Sequence, residues 1–176
     1  MKRVEFRAPW CAALALMTSV CTAICLFLSI VGLIISLGGS GALRWFGVSV
    51  VAPWIGWLLA VVPFLTLAAS AVFMVRGYVV TGTSLLIRRL GWERRLDLSG
   101  LTSATVDPDA LHRSMRLFGN DGFFAFTGMF RNKKLGVYRA FATDPKRAVV
   151  LNFSGKTVVV TPDDPHKFVT VINAES

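Results

Sequence analysis

The sequence predicts a membrane protein of α plus β class, in which a two-helix transmembrane hairpin precedes a small β-barrel capped by a C-terminal helix. Three observations lead to this fold class. Hydrophobic residues make up 54% of the 176 residues and charged residues only 16%, whereas soluble domains carry about 25% charged residues. No charged residue lies between Arg7 and Arg44 or between Arg44 and Arg76. The segment after Arg76 instead alternates apolar and polar residues with the period of β-strands.

The two uncharged stretches are each long enough to cross a bilayer, which takes about 20 helical residues. We predict helices at about 10–37 and 50–75 and assign residues 1–76 to the transmembrane hairpin. The first stretch is much longer than the roughly 7–15 apolar residues of a signal peptide, so we expect it to be retained. Pro63 predicts a kink in the second helix.

Basic residues predict the orientation of this hairpin. The connection between the helices carries Arg44 alone, and the basic residues of the two flanks are Lys2, Arg3, Arg7, Arg76, Arg88, Arg89, Arg94 and Arg95. The positive-inside rule therefore places both termini in the cytoplasm. The formal net charge of +9 is explained by these flanks and by a basic domain beside the membrane, and nucleic-acid binding is not expected.

A stripe of small residues recurs every four positions in the first helix, at Cys11, Ala15, Ser19 and Ala23. Such stripes let two helices approach closely. We expect packing against the second helix of the same chain, with packing between chains as the alternative. The three cysteines lack the spacing of disulfide or zinc motifs and are interpreted as small apolar residues of the membrane helix.

Residues 77–176 are predicted to form a separate cytoplasmic domain with about seven short strands. The clearest hairpin joins 148–153 to 156–161 around Ser154 and Gly155, and another turns at Gly91. Asp163 or Asp164 followed by Pro165 marks a helix start. Phe168 and Ile172 lie on one face of that helix, and we expect them to enter the open mouth of the barrel.

Three ordered blocks resemble a known family. The blocks 119–140, 142–151 and 160–165 are similar to the glycine- and aromatic-rich segments of a bacterial PH-like (pleckstrin homology) domain family, which is membrane-anchored and largely uncharacterised. The resemblance covers about residues 77–173. It implies a small barrel plugged by a terminal helix and a location in the inner or plasma membrane of a bacterial cell, and it implies a fold more firmly than a function.

Residues suited to catalysis are sparse. His112 and His166 have no second histidine, cysteine or carboxylate pair at useful spacing. We therefore predict no catalytic, cofactor-binding or metal-binding residue, no cofactor, and a protein that is not an enzyme.

Two basic clusters are the candidate contacts for lipid or a partner: Arg88, Arg89, Arg94 and Arg95 in the hairpin around Gly91, and Arg131, Lys133 and Lys134 further along. The alternative is an ordinary solvated face. The aromatic block 118–130 also has two interpretations. Its aromatic side chains could fill the core, or the block could form a loop that enters the bilayer or docks on the helices.

These observations favour a non-enzymatic scaffold or adaptor, an integral membrane protein with two spans. It would bind a protein, a peptide or anionic lipid headgroups at the cytoplasmic face. The alternative is an immunity or self-protection protein directed against a membrane-active peptide.

Overall fold

The computed structural model describes residues 3–38, 53–121 and 124–175. The helices are α1 (Ala12–Gly38), α2 (Pro53–Val72) and α3 (Pro165–Glu175). The described residues also form ten strands: β1 (Arg3–Arg7), β2 (Val75–Thr81), β3 (Ser84–Arg89), β4 (Glu93–Asp97), β5 (Leu101–Val106), β6 (Met115–Asp121), β7 (Phe126–Asn132), β8 (Gly136–Ala142), β9 (Val149–Phe153) and β10 (Lys156–Val160).

Helices α1 and α2 are each long and apolar enough to cross a membrane. They pack antiparallel through glycine: a Cβ on Gly32 would lie 2.4 Å from the backbone nitrogen of Ala60, so a larger residue would push the helices apart. Helix α2 continues through Pro63. The connection with Arg44, and the predicted start of the second helix at residue 50, lie outside the described residues.

The predicted small-residue stripe does not make this contact. Ser19 and Ala23 are exposed, whereas Thr18 is buried. A close approach instead lies further along α1, where Gly32 and Ser36 meet α2. A spacing of four residues drifts around a helix of 3.6 residues per turn, so a short stripe near one end does not define the contact face of the whole helix.

The N-terminal tail forms strand β1, which pairs antiparallel with β2 and places Phe6 opposite Tyr78. Phe6 is buried, and its ring lies edge-on to that of Phe168 with the centroids 5.0 Å apart. The carbonyl of Arg7 accepts a hydrogen bond of 3.0 Å from the backbone N–H of Asp163. This strand was not predicted from the sequence. The β structure is thus built from both sides of the helix pair.

The strands form two sheets, with the orders β1-β2-β3-β4 and β5-β9-β10-β8-β7-β6. Neighbours are antiparallel except β8 and β10, which are parallel. Within the described ranges no ladder joins the two sheets, so the predicted closed barrel is wrong and the fold is sandwich-like. The C-terminal helix lies where the expected plug would be: Phe168 and Ile172 are fully buried among residues of both sheets.

A buried tyrosine links the two sheets. The Tyr78 hydroxyl on β2 donates to the carbonyl of Phe141 on β8 and accepts a hydrogen bond of 3.1 Å from the N–H of Thr161. Burial raises the pKa of Tyr78 to about 12, although the hydrogen bonds with Thr161 and the charge of Arg89 oppose the rise. The hydroxyl therefore stays neutral and keeps its proton for the bond to Phe141.

The predicted hairpins are confirmed. Strands β9 and β10 pair around Gly155, which has φ +92°, and β3 pairs with β4 around Gly91. The aromatic block is divided between β6 and β7, which form a hairpin with the facing glycines Gly119 and Gly128 at its centre.

Replacing Phe6 with Ala tests whether the N-terminal strand belongs to the β fold. Truncating a buried Phe costs about 3–5 kcal/mol of folding free energy, so we expect a clearly lower melting temperature for the full chain in mild detergent. Arg3→Ala is the matched control, because Arg3 lies exposed on the same strand and makes only a surface ion pair with Glu5. Equal melting temperatures for wild type and Phe6→Ala would show that β1 adds nothing to the fold.

Candidate functional site

A cavity of about 530 Å³ lies between the C-terminal end of α2 and the β-sandwich. Helix α2 and the residue after it supply Ala69, Ser70 and Phe73. The two sheets and the turn between β3 and β4 supply the remaining lining residues, which are Arg89, Trp92, Arg94, Phe118, Gly119, Thr127, Gly128, Arg139 and Phe141. Three of these residues are arginines and none is acidic. The cavity is therefore positively charged and has apolar walls, and we refer to it as the arginine cavity.

Arg89 is the central residue of this cavity. Strand alternation places it on the same face as Leu85 and Ile87, as the sequence predicts, and only 6% of it is exposed. Its guanidinium carbon lies 4.7 Å from the centroid of the Trp92 ring and 5.4 Å from that of Phe141. These distances are within the range of cation–π attraction.

The hydrogen bonding of Arg89 is incomplete. Nη1 donates to the carbonyl of Phe73 over 3.1 Å, whereas the buried Nε has no partner in the described part of the chain. No described carboxylate forms an ion pair with it. An uncompensated buried charge costs several kcal/mol, so this arrangement has the charge, the donor and the space to accept an anion.

Two further arginines increase the positive potential. Burial lowers the pKa of Arg89, and the charge of Arg94 and, less strongly, that of Arg139 lower it further, whereas Tyr78 acts in the opposite direction. The guanidinium carbon of Arg94 lies 5.7 Å from the centroid of the Phe141 ring. The described residues provide no carboxylate partner for Arg94 or Arg139 either. An anion between these three side chains would relieve their mutual repulsion.

The other two arginines of the predicted hairpin cluster have protein partners. Arg88 pairs with Glu5 over 3.5 Å and with Glu93 over 3.3 Å. Arg95 donates to the hydroxyl of Ser84 over 2.9 Å. The structure therefore brings Arg89 and Arg94 into the cavity and leaves Arg88 and Arg95 outside its lining.

The second predicted cluster is separate. Lys133 and Lys134 line a different cavity with His112, and Lys134 is 2.6 Å from a carboxylate oxygen of Asp107. Arg131 lies exposed on β7 opposite Met115. Neither lysine nor Arg131 lines the arginine cavity.

Phe73, Trp92 and Arg139 were not among the predicted site residues, although they line the cavity. Arg139 and Phe141 lie two positions apart on β8, so strand alternation places them on the same face of the sheet. This pattern is visible in the sequence. The approach of Arg139 to Arg89 depends on how the two sheets stack, which no local pattern reveals. The described residues contain no group of three or more His, Cys, Asp or Glu that could hold a metal ion.

Two glycines face each other on the β6–β7 hairpin, Gly119 on β6 and Gly128 on β7, and they form this hairpin's part of the cavity wall. A Cβ on Gly119 would lie 2.3 Å from the carbonyl oxygen of Thr127, and one on Gly128 would lie 2.1 Å from that of Phe118. Both residues have positive φ, +119° and +152°. The two strands can approach this closely only because both positions lack a side chain.

Replacing Gly119 with Ala tests this wall. We expect a loss of at least about 1–3 kcal/mol of stability from the strained backbone alone, and more from the clash with Thr127. Gly100→Ala is the matched control, because a Cβ there meets nothing within 4 Å. Thermal unfolding of the full chain measures both variants, and a Gly119→Ala protein as stable as Gly100→Ala would contradict the close approach.

Comparison with known proteins agrees with this architecture. No curated protein and no solved structure matches the chain. A family model described as "Bacterial PH domain" matches residues 76–175, which is more than half of the chain and includes every described strand of the sandwich except β1 and the first residue of β2. The chain belongs to the bacterial PH domain family.

Proposed function

We propose that this protein is a membrane-anchored, non-enzymatic PH-domain protein that binds an anionic phospholipid of the cytoplasmic leaflet in the arginine cavity. The observation that carries the proposal is Arg89, a buried guanidinium with a free Nε and no carboxylate partner in the described residues. A lipid phosphate or phosphate diester provides the missing negative charge and the missing acceptor.

The helices support membrane anchoring. Large apolar side chains along both helices are exposed to the surroundings, among them Leu16, Phe27, Leu37, Trp54 and Phe64. Exposed apolar surface of this extent is unfavourable in water and favourable in lipid. With the helices in a bilayer and the basic flanks inside, both termini and the β-sandwich lie in the cytoplasm, at the inner or plasma membrane of a bacterial cell.

The position of the cavity favours a lipid over a soluble anion. Ala69 and Ser70 belong to the last turn of α2 and line the cavity together with the three arginines. A spanning helix ends near the headgroups, so the arginines lie at phosphate level. The apolar walls formed by Ala69, Phe73 and Phe118 can receive the glycerol and the first methylenes of an acyl chain. A free phosphate ion gains nothing from contact with such apolar walls.

The open edge of the four-stranded sheet suggests a second candidate, the binding of a peptide. Strand β4 has a free edge, and a second cavity of about 500 Å³ lies between it and β8 and β10. A peptide strand could pair with this edge, and its acidic residues could reach Arg94 or Arg95. A scaffold role and the self-protection alternative both require such a partner.

Thermal unfolding of the full chain in neutral detergent tests the lipid proposal. Phosphatidylglycerol should raise the melting temperature, whereas phosphatidylcholine with the same acyl chains should not. Binding at about a hundredfold excess over the dissociation constant adds about 2.7 kcal/mol, which corresponds to roughly 5–10 °C for a chain of this size. The Arg89→Met variant should show only a small part of this increase in melting temperature.

Three controls make the result specific. Lys133→Met removes an exposed charge that does not line the cavity and should keep the full shift. The double variant Arg94→Gln with Arg139→Gln should reduce the shift even if Arg89→Met folds poorly. Glycerol phosphate and inorganic phosphate test for a soluble ligand. Equal shifts with both lipids, or a full shift in the arginine variants, would overturn the proposal.

A further inference from the structure

Strand β6 carries an exposed apolar surface, and Phe118 is the only one of its large apolar side chains that lines the arginine cavity in the described residues. Phe118 is 80% exposed and Met115 71%, and Leu117 is exposed as well. A register shift between Arg116 and Phe118 interrupts the pairing with β7. β6 is also an edge strand of the six-stranded sheet. A bare apolar edge in water promotes aggregation, so this surface requires a cover.

The β6–β7 hairpin lies against both candidate membrane helices. The backbone N–H of Phe124, just before β7, donates to the hydroxyl of Thr18 on α1 over 3.2 Å. The ring of Phe124 lies edge-on to that of Trp10 with the centroids 6.1 Å apart. On the other side, Phe118 lines the arginine cavity together with Ala69 and Ser70 of α2.

The helix lengths give the depth of this contact. Helix α1 has 27 residues and α2 has 20, so at 1.5 Å per residue α1 is about 40 Å long and α2 about 30 Å. Gly32 lies beside Leu59. Because the two helices are antiparallel, moving back along α1 from Gly32 to Thr18 covers the same distance as moving forward from Leu59 in α2 to Phe73 just after it. Both steps span the same number of residues. Thr18 is therefore level with the end of α2, and the turns of α1 before it stand beside the sandwich.

Phe118 is therefore close to the membrane boundary. Helix α2 matches the hydrocarbon thickness of a bilayer, about 30 Å, and Phe118 shares a cavity with residues of its last turn. A large apolar side chain such as Phe118 is favourable at the boundary between headgroups and acyl chains, because it leaves water for lipid. The free backbone groups of an edge strand remain within reach of interfacial water and headgroups at this level, which they would not at the bilayer centre.

From this geometry we infer that the β6–β7 hairpin is a third membrane contact, with Phe118 and Leu117 inserted among the lipids of the cytoplasmic leaflet at the upper acyl-chain level. The inference rests on the membrane anchoring in the proposed function. It gives the bound lipid a wall on each side, α2 on one and the inserted hairpin on the other. The occupant of the apolar β6 surface is thus the bilayer and not a second protein.

Spin-label accessibility in the full chain tests the inference. A variant with Cys11, Cys21 and Cys25 replaced by Ala is reconstituted into vesicles of phosphatidylglycerol and phosphatidylcholine. A nitroxide is then placed at Phe118→Cys, and in a second variant at Leu117→Cys. We expect collisions with oxygen to exceed collisions with a water-soluble nickel chelate, as they do in lipid. Two matched positions calibrate the scale: Lys133→Cys for water and Leu26→Cys, exposed in the middle of α1, for the hydrocarbon.

The outcomes separate this inference from the proposed function. Labels at 117 and 118 that resemble Lys133→Cys, while Leu26→Cys reports lipid, overturn hairpin insertion and leave anchoring intact. A Leu26→Cys label that reports water overturns both. Spin–spin broadening at 118 that disappears on dilution with unlabelled protein shows that a second copy covers β6, which also overturns insertion. A lipid-like signal at 117 or 118 without broadening supports it.

Discussion

The ladder between β1 and β2 is the constraint on which the arrangement of this protein depends. Strand β1 leads directly into α1, and β2 follows α2 within three residues. Because Arg3–Arg7 pairs with residues 77–81 of β2, the chain on both sides of the helix pair is fixed to one sheet. The sandwich therefore cannot swing freely on a single linker. Its orientation relative to α2 is set by hydrogen bonds.

This fixed orientation accounts for the arginine cavity. Phe73 immediately follows α2, and its carbonyl accepts the hydrogen bond of Arg89 on β3. Arg139 arrives from the other sheet, which Tyr78 ties to the first through Phe141. Three positive side chains from two sheets thus meet at the C-terminal end of α2 without an acidic neighbour in the described lining. A buried, unpaired charge reduces stability, and its presence at this level is the physical reason to assign it a ligand.

Much of this fold could be predicted from local sequence patterns. The absence of charge over two long stretches indicated α1 and α2, and period-two alternation with Gly91 and Gly155 indicated two hairpins. Alternation also placed Arg89 on the inner face of β3. The sequence did not predict β1, because the segment 3–7 is short, charged and next to a long apolar helix, and its strand exists only through pairing with β2. The open sandwich, the approach of Arg139 to Arg89 and the division of the aromatic block between Phe130 in the core and Phe118 at the surface depend on sheet stacking, which local patterns do not determine.

The most direct test of the account is native mass spectrometry of the full chain extracted from membranes in mild detergent. We expect wild-type protein to retain one phospholipid, this lipid to be anionic, and Arg89→Met to release it while Lys133→Met keeps it. The same anionic lipid retained by wild type and Arg89→Met alike, or a wild-type protein that carries no lipid or only zwitterionic lipid, would contradict the claim that the buried arginine holds a lipid phosphate.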